Sequence, residues 1–234
     1  MEEILTSGFA QLDLPLPDGA AERFQAYYEL LNERNKVMNL TAITGEAETA
    51  RPHFLDCAAL LKAADFAGKQ VIDVGTGAGF PGVPLKIAEP SIRLTLLDSQ
   101  AKRIRFLDEV IAVLGLTDTE TVLSRAEEAP ARFREHFDIA CARAVTRLDA
   151  LAELCLPLVR MGGVFVAMKG PAAEEELREA ETAIRVLGGS VRELVSCPVP
   201  GTDVTHRAIV IEKTARTPDM YPRRWAKIQK TPIR

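Results

Sequence analysis

The stretch Val71-Ile72-Asp73-Val74-Gly75-Thr76-Gly77-Ala78-Gly79-Phe80-Pro81-Gly82 decides how this chain is read. An apolar strand carrying an acid at its end opens into a glycine turn, as at the nucleotide-facing corner of an α/β sheet. Glycine lets the backbone turn sharply and approach a ligand that a Cβ would push away. Gly77-x-Gly79-x-x-Gly82 fits the dinucleotide spacing. In a dinucleotide fold, however, the glycines begin at the strand end and run into a helix. Here Gly75-Thr76 comes first and Pro81 stands inside the fingerprint. A nicotinamide dehydrogenase therefore ranks as a distant reading.

Taken instead as acid-x-Gly-x-Gly-x-Gly, the loop resembles that of S-adenosylmethionine methyltransferases. That cofactor has no pyrophosphate, so the loop need only lie against a methionine tail. On the pattern alone, a purely structural glycine turn stands as the alternative.

Downstream the chain alternates. Strands are predicted over 71–74, 92–97, 120–123, 137–142 and 164–168, with helices over 83–88, 101–114, 127–133 and 148–159 between them. Met161-Gly162-Gly163 is expected to close the helix before the fifth strand. A helix over 174–187 and two strands over 191–197 and 207–212 follow. Such alternation predicts a doubly wound, mostly parallel seven-stranded sheet of the Rossmann-like methyltransferase type. Upstream, Phe24, Tyr27, Tyr28 and Leu31 fall on one helical face, with the helix starting after Asp18, and a second helix is expected over 46–64. The predicted organisation is an N-terminal helical extension over 1–65, a methyltransferase domain over 66–213 and a basic tail over 214–234.

Apolar residues make up 47% of the 234, enough for a full core, and the formal charge of -4 gives no bulk attraction to nucleic acid. RNA contact would have to come from local patches. Cys57, Cys141, Cys155 and Cys197 are widely spaced and show no metal-ligand pattern, so they read as reduced thiols of a cytoplasmic protein without a metal. No secretory signal or membrane span is expected, and a monomer is assumed.

Ligands of open α/β sheets sit at the carboxyl ends of the strands. That rule aligns Asp73 and Gly75, Asp98, Ala126-Glu127, Arg143 and Lys169-Gly170 along one rim. Gly75 and Gly77 belong to the cofactor turn. Asp98 is placed to accept hydrogen bonds from a ribose diol, the alternative being a helix-start acid. Glu127 could take an adenine amino group, with Ala126 beside the ring, or could be ordinary first-turn charge. Arg143 and Lys169 stand where a methyl acceptor would enter, and are the candidate catalytic pair. Cys141 lacks a neighbouring proline and is rejected as a nucleophile. Lys102, Arg103 and Arg105 oppose the dipole of the helix they begin by up to ~1 kcal/mol each, which favours phosphate contact over a solvated face. Asn39 and His53 are candidate substrate contacts, although a lone helical histidine more often packs or caps. Around Trp225, Arg223 and Arg224 either bind RNA with aromatic help or belong to a tail docked on the core.

Taken together, these residues resemble the bacterial small-subunit ribosomal RNA guanine-N7 methyltransferase G family, also called glucose-inhibited division protein B. Carrying the resemblance are Asn39-Leu40-Thr41, His53-Phe54-Leu55-Asp56, the 73–82 loop, Leu97-Asp98-Ser99, Lys102-Arg103, Arg125-Ala126-Glu127, Ala142-Arg143-Ala144 and Lys169-Gly170. Cys57 departs from it, since many relatives carry serine there. The resemblance implies S-adenosylmethionine bound through Gly75, Phe80, Ala126, Glu127 and Arg143. It further implies transfer to N7 of a guanine in 16S ribosomal RNA, presented bare or in the small subunit. The alternatives are a methyltransferase of small molecules or proteins, and a nonenzymatic RNA-binding protein on the same scaffold. The latter predicts an eroded glycine loop.

Overall fold

A seven-stranded sheet organises the computed structural model, which describes residues 1–38 and 45–233. Its strands are β1 (Gln70–Val74), β2 (Arg93–Asp98), β3 (Thr119–Leu123), β4 (Phe137–Arg143), β5 (Val159–Lys169), β6 (Gly189–Pro198) and β7 (Thr205–Lys213). They lie in the order β3-β2-β1-β4-β5-β7-β6. Every pairing is parallel except those of β7, which runs antiparallel to both β5 and β6. The order reverses between β1 and β4, and a crevice opens at such a switch point.

Both faces are covered, and successive strand residues feed opposite cores. Val71, Leu94, Leu96, Ile139, Val164, Val166 and Val210 join one cluster. Ile72, Leu97, Ala140, Phe165, Ala167, Ile209 and Ile211 join the other. Two-sided burial is why these strands read as continuous apolar runs.

The helices are α1 (Glu2–Gln11), α2 (Ala20–Met38), α3 (Glu46–Thr49), α4 (Asp56–Ala58), α5 (Gly82–Ala88), α6 (Ala101–Leu114), α7 (Pro130–Phe133), α8 (Leu148–Cys155), α9 (Ala173–Val186) and α10 (Trp225–Lys230). Phe24, Tyr27 and Leu31 of α2 are fully buried, as their spacing predicts, and share the first core with Leu5 and Phe9 of α1. On the opposite face, Leu148, Leu151 and Leu154 of α8, Ile184 of α9 and Ile228 of α10 fill the second.

Three expectations are corrected. The helix expected over 46–64 is broken into α3, a π-helical segment Ala50–Leu55, α4 and a 3-10 turn Ala59–Lys62. Pro52 has no N–H to give the preceding turn and its ring crowds that carbonyl, so the coil widens around it. Met161-Gly162-Gly163 caps no helix, because β5 already runs from Val159. The glycines serve a register shift against β4, where a Cβ on Gly163 would stand 2.5 Å from the Asp138 carbonyl oxygen. The helix expected over 127–133 begins only at Pro130, the residue suited to a first helical turn. Helices α1 and α10 were not expected.

Candidate active site

The glycine loop is held by its own acid. Asp73 is fully buried. Its Oδ2 accepts from the Thr76 hydroxyl at 2.6 Å and from the Gly82 N–H at 2.8 Å. It therefore staples the strand end to the start of α5 and does not line the crevice. Burial raises its carboxyl to about 6, against the opposing pull of those two donors. The N–H groups of Gly75 and Thr76 both donate to the Leu97 carbonyl, at 2.9 and 3.0 Å, and the Tyr27 hydroxyl donates to the Ala78 carbonyl from below. Gly75 has a φ of +72°, and a Cβ there would meet Val145 Cγ2 at 2.9 Å. The loop is a cradle that only glycine leaves open.

Beyond it lies a crevice of about 490 Å³ at the carboxyl ends of β1 to β4. Gly75, Gly77 and Phe80 line one end and Ala126 and Glu127 another, with Asp98 on the wall. Asp98 is buried and its lone pairs are shared: Oδ2 takes the Gly77 N–H at 3.0 Å and Arg103 at 3.2 Å, and Oδ1 takes the Gln100 N–H at 2.9 Å. Its acid thus offsets the Arg103 cation in the first turn of α6. Glu127 precedes α7, so it is not first-turn helix charge. It faces the crevice with Arg125 Nε 2.8 Å from its Oε1.

Arg143, at the end of β4, is a junction. Its Nη1 donates to the Pro52 carbonyl at 3.2 Å and stands 3.8 Å from Asp56 Oδ2. Its Nη2 lies 3.0 Å from His53 Nδ1, and the guanidinium sits 4.8 Å from the Phe80 ring centroid. The His53 ring stacks on Phe80 at 4.7 Å. Burial first, and then the Arg143 charge, lowers His53 to about 4. The imidazole is neutral near pH 7, and its Nδ1 can accept from the arginine. On the far side, Asp56 Oδ1 takes His206 Nδ1 at 2.8 Å, and this hydrogen bond raises the His206 pKa.

A second cavity of about 670 Å³ lies across Arg143, at the ends of β4 and β5. Lys169 enters it, its ammonium 2.6 Å from the Thr146 carbonyl and 2.8 Å from Glu176 Oε2. His53, Arg143, Ala144 and Val145 line both cavities. Ala144 has a φ of +53°. For a residue with a Cβ this costs about 1–2 kcal/mol, and such strain gathers at functional sites.

Gly75, Gly77, Phe80, Asp98, Ala126, Glu127 and Arg143 thus meet around one crevice, while Lys169 lies in the neighbouring cavity. Arg103 lines the crevice beside Asp98, whereas Lys102 is exposed. Asn39 lies outside the described residues. Arg223 is corrected: its guanidinium holds Glu153 at 2.8 and 2.6 Å and the Thr231 carbonyl at 3.0 Å, so it is committed within the protein. Arg224 is exposed. The tail packs on the core. Ile228 is fully buried, and Arg134 holds the carbonyls of Thr217 and Tyr221 at 2.8 and 3.0 Å. Cys141 is buried, and burial pushes its thiol far above the ordinary value. Sequence reading gave no role to His206, and none to Asp56 beyond its place in the His53-Phe54-Leu55-Asp56 segment; it read Trp225 as an RNA-stacking or core-docking residue, not as a wall of the crevice.

The sheet order, the closing antiparallel strand and the glycine-loop crevice define a Rossmann-like methyltransferase. Two solved structures share the fold. One is TrmN from Thermus thermophilus, with a TM-score of 0.54 and 24% identity over 68% of this chain and 48% of that one. The other is TYW2 of M. jannaschii, in complex with AdoMet, with a TM-score of 0.54 and 13% identity over 68% and 74%. The chain belongs to the family described as rRNA small subunit methyltransferase G, which matches residues 20–205. Ribosomal RNA small subunit methyltransferase G of Pelotomaculum thermopropionicum is 44% identical, covering 100% of this chain and 99% of that protein. The enzyme of the same name from Alkaliphilus oremlandii is 46% identical over 100% and 99%. Among the described residues, no helix is long and apolar enough to cross a membrane, and no group of three or more His, Cys, Asp or Glu could hold a metal ion.

Proposed function

We propose that the crevice of β1 to β4 holds S-adenosylmethionine and that the adjoining cavity receives a guanine of 16S ribosomal RNA, methylated at N7. The observation that carries this reading is the shared wall of His53, Arg143, Ala144 and Val145 between the two spaces. A donor and an acceptor held on its two sides meet across one layer of residues. Gly75 and Gly77 would leave room for a methionine tail, Asp98 would hold a ribose, and Ala126 with Glu127 would hold the adenine.

S-adenosylmethionine supplies an electrophilic methyl group on a sulfonium. Guanine N7 already presents an in-plane lone pair, so no proton has to leave before attack. The protein's task is therefore positioning, and effective molarity supplies the rate. His53, neutral and engaged by Arg143, has no proton to abstract. An arginine bidentate to O6 and N7 is the usual guanine contact, but here it would cover the reacting atom. Arg143 instead spends its donors on Pro52 and His53, fixing the wall. Lys169 can give O6 a hydrogen bond from within the acceptor cavity. The cavity admits a base only when it leaves the stack, which fits a flipped or single-stranded nucleotide.

The test is to map N7-methylguanine in ribosomal RNA from cells with and without this gene, and then to assay the purified protein on bare 16S RNA and on small subunits. Loss of one small-subunit site in the deletion, restored by the purified protein, is expected. An unchanged methylation map would refute the acceptor.

A further inference from the structure

We infer that Trp225, in the C-terminal tail, is a cofactor-binding residue: its indole forms the wall against which the adenine of the bound nucleoside stacks. The inference rests on the reading of the crevice as the S-adenosylmethionine site.

Trp225 is the single tryptophan of the chain. It opens α10, is half-buried, and lines the crevice together with Ala126, Glu127 and Leu154. Trp225 and Ala126 both rest on the second core, to which Leu154 belongs, whereas Phe80 and Ala78 of the glycine loop belong to the first. The indole therefore rests on the sheet face that carries Ala126 and Leu154, opposite the face on which Phe80 and Ala78 of the glycine loop pack.

The placement is built, not incidental. Two residues before Trp225, Arg223 binds Glu153 of α8 through its backbone N–H at 2.8 Å and through its guanidinium. Glu153 is only 1% exposed. Three residues after Trp225, Ile228 is fully buried. Anchors on both sides fix the start of α10 over the mouth of the crevice. An adenine ring has two apolar faces and a polar edge. Leu154 and the indole supply apolar surface, and Glu127 supplies an acceptor for an edge amino group.

Because no other tryptophan is present, intrinsic emission reads this ring alone. The native protein is titrated with S-adenosylhomocysteine, adenosine and methionine, following tryptophan fluorescence and, in parallel, heat by calorimetry. S-adenosylhomocysteine and adenosine are expected to change the emission saturably, and methionine to leave it unchanged. Trp225→Ala is expected to weaken S-adenosylhomocysteine roughly 5- to 100-fold, and Trp225→Phe to stay within about threefold because a stacking face is kept. Should Trp225→Ala fail to fold, the emission titration and Trp225→Phe decide. Calorimetric saturation without any emission change, or full affinity in Trp225→Ala, overturns the inference and leaves the crevice assignment standing. An emission change with methionine alone overturns it too, by placing the ring at the wrong end. No calorimetric binding of S-adenosylhomocysteine to the native chain overturns both.

Discussion

Arg143 Nη2 stands 3.0 Å from His53 Nδ1, while the Arg143 guanidinium and the His53 ring both lie against Phe80. One residue comes from the end of a central strand, one from the π-helical segment of the N-terminal region, and one from the glycine loop. Their contact joins the three parts that wall the two cavities. Within the widened helix, the Pro52 carbonyl accepts from Arg143 as well.

That arrangement fixes how two histidines titrate. His53 is depressed to about 4 from an ordinary 6.5. The unfolded chain therefore takes up its proton first as pH falls. Stability from His53 is present above about 6.5 and lost progressively toward pH 4. His206 has the opposite sign, because its bond to Asp56 raises the folded value. Its contribution is complete below 6.5 and disappears as pH rises through the folded value. An NMR titration of the three histidines is expected to show His53 with a midpoint near 4 and His206 above 6.5. A His53 midpoint at the ordinary value would contradict its burial against Phe80 and, with it, its place beside Arg143.

Gly75→Val combines two penalties. The φ of +72° suits a side chain poorly, and the added Cβ would lie 2.9 Å from Val145 Cγ2. Relief could come only by pushing Val145 or the loop into the crevice. Calorimetry should then detect no S-adenosylhomocysteine binding, while thermal unfolding shifts by the few degrees that about 1–2 kcal/mol produces in a chain of this size. Undiminished affinity would contradict the loop as the cofactor cradle.

Arg223 and Arg224, neighbours in the basic tail, should behave differently. Arg223→Ala leaves the buried Glu153 with the backbone N–H of residue 223 but without its counter-charge, a loss of about 3–5 kcal/mol, or roughly 10 °C in melting temperature. Arg224→Ala should remain within about 0.5 kcal/mol. Calorimetric melting of the two variants compares them directly. Equal melting points would remove the tail's anchor, and with it the support beneath Trp225.

The alternation of strand and helix was legible because two-sided burial leaves continuous apolar runs in the central strands, whereas the edge strands β3 and β6 are exposed or half-buried along most of their length and carry no such run. Asp98, Ala126, Glu127, Arg143 and Lys169 were legible for another reason: strand ends of a parallel sheet share one rim, so position along the chain gives position at the site. Side-chain direction was not legible. Asp73 and Arg223 look like ligand-facing charges in sequence, yet each is turned inward to hold a neighbouring segment. Asp56 and His206 are 150 residues apart and meet only because β7 enters beside β5. Trp225 reaches the crevice through a tail with no periodic signal of its own.

Lys102 and Arg103 appear as one cationic patch in sequence, and the structure separates them. Arg103 lies 3.2 Å from Asp98 within the crevice, whereas Lys102 is exposed. Arg103→Ala should therefore weaken S-adenosylhomocysteine as well as RNA, because Asp98 loses its counter-charge and the wall it forms. Lys102→Ala should leave S-adenosylhomocysteine affinity unchanged. If Lys102 meets a phosphate, its removal should also flatten the dependence of small-subunit RNA affinity on salt, reducing the slope of log K against log salt by about 0.7–0.9. Binding titrations over a series of salt concentrations measure that slope for each variant. An unaltered slope in Lys102→Ala would place the RNA path elsewhere on the rim, since an exposed lysine that releases no counterion touches no phosphate.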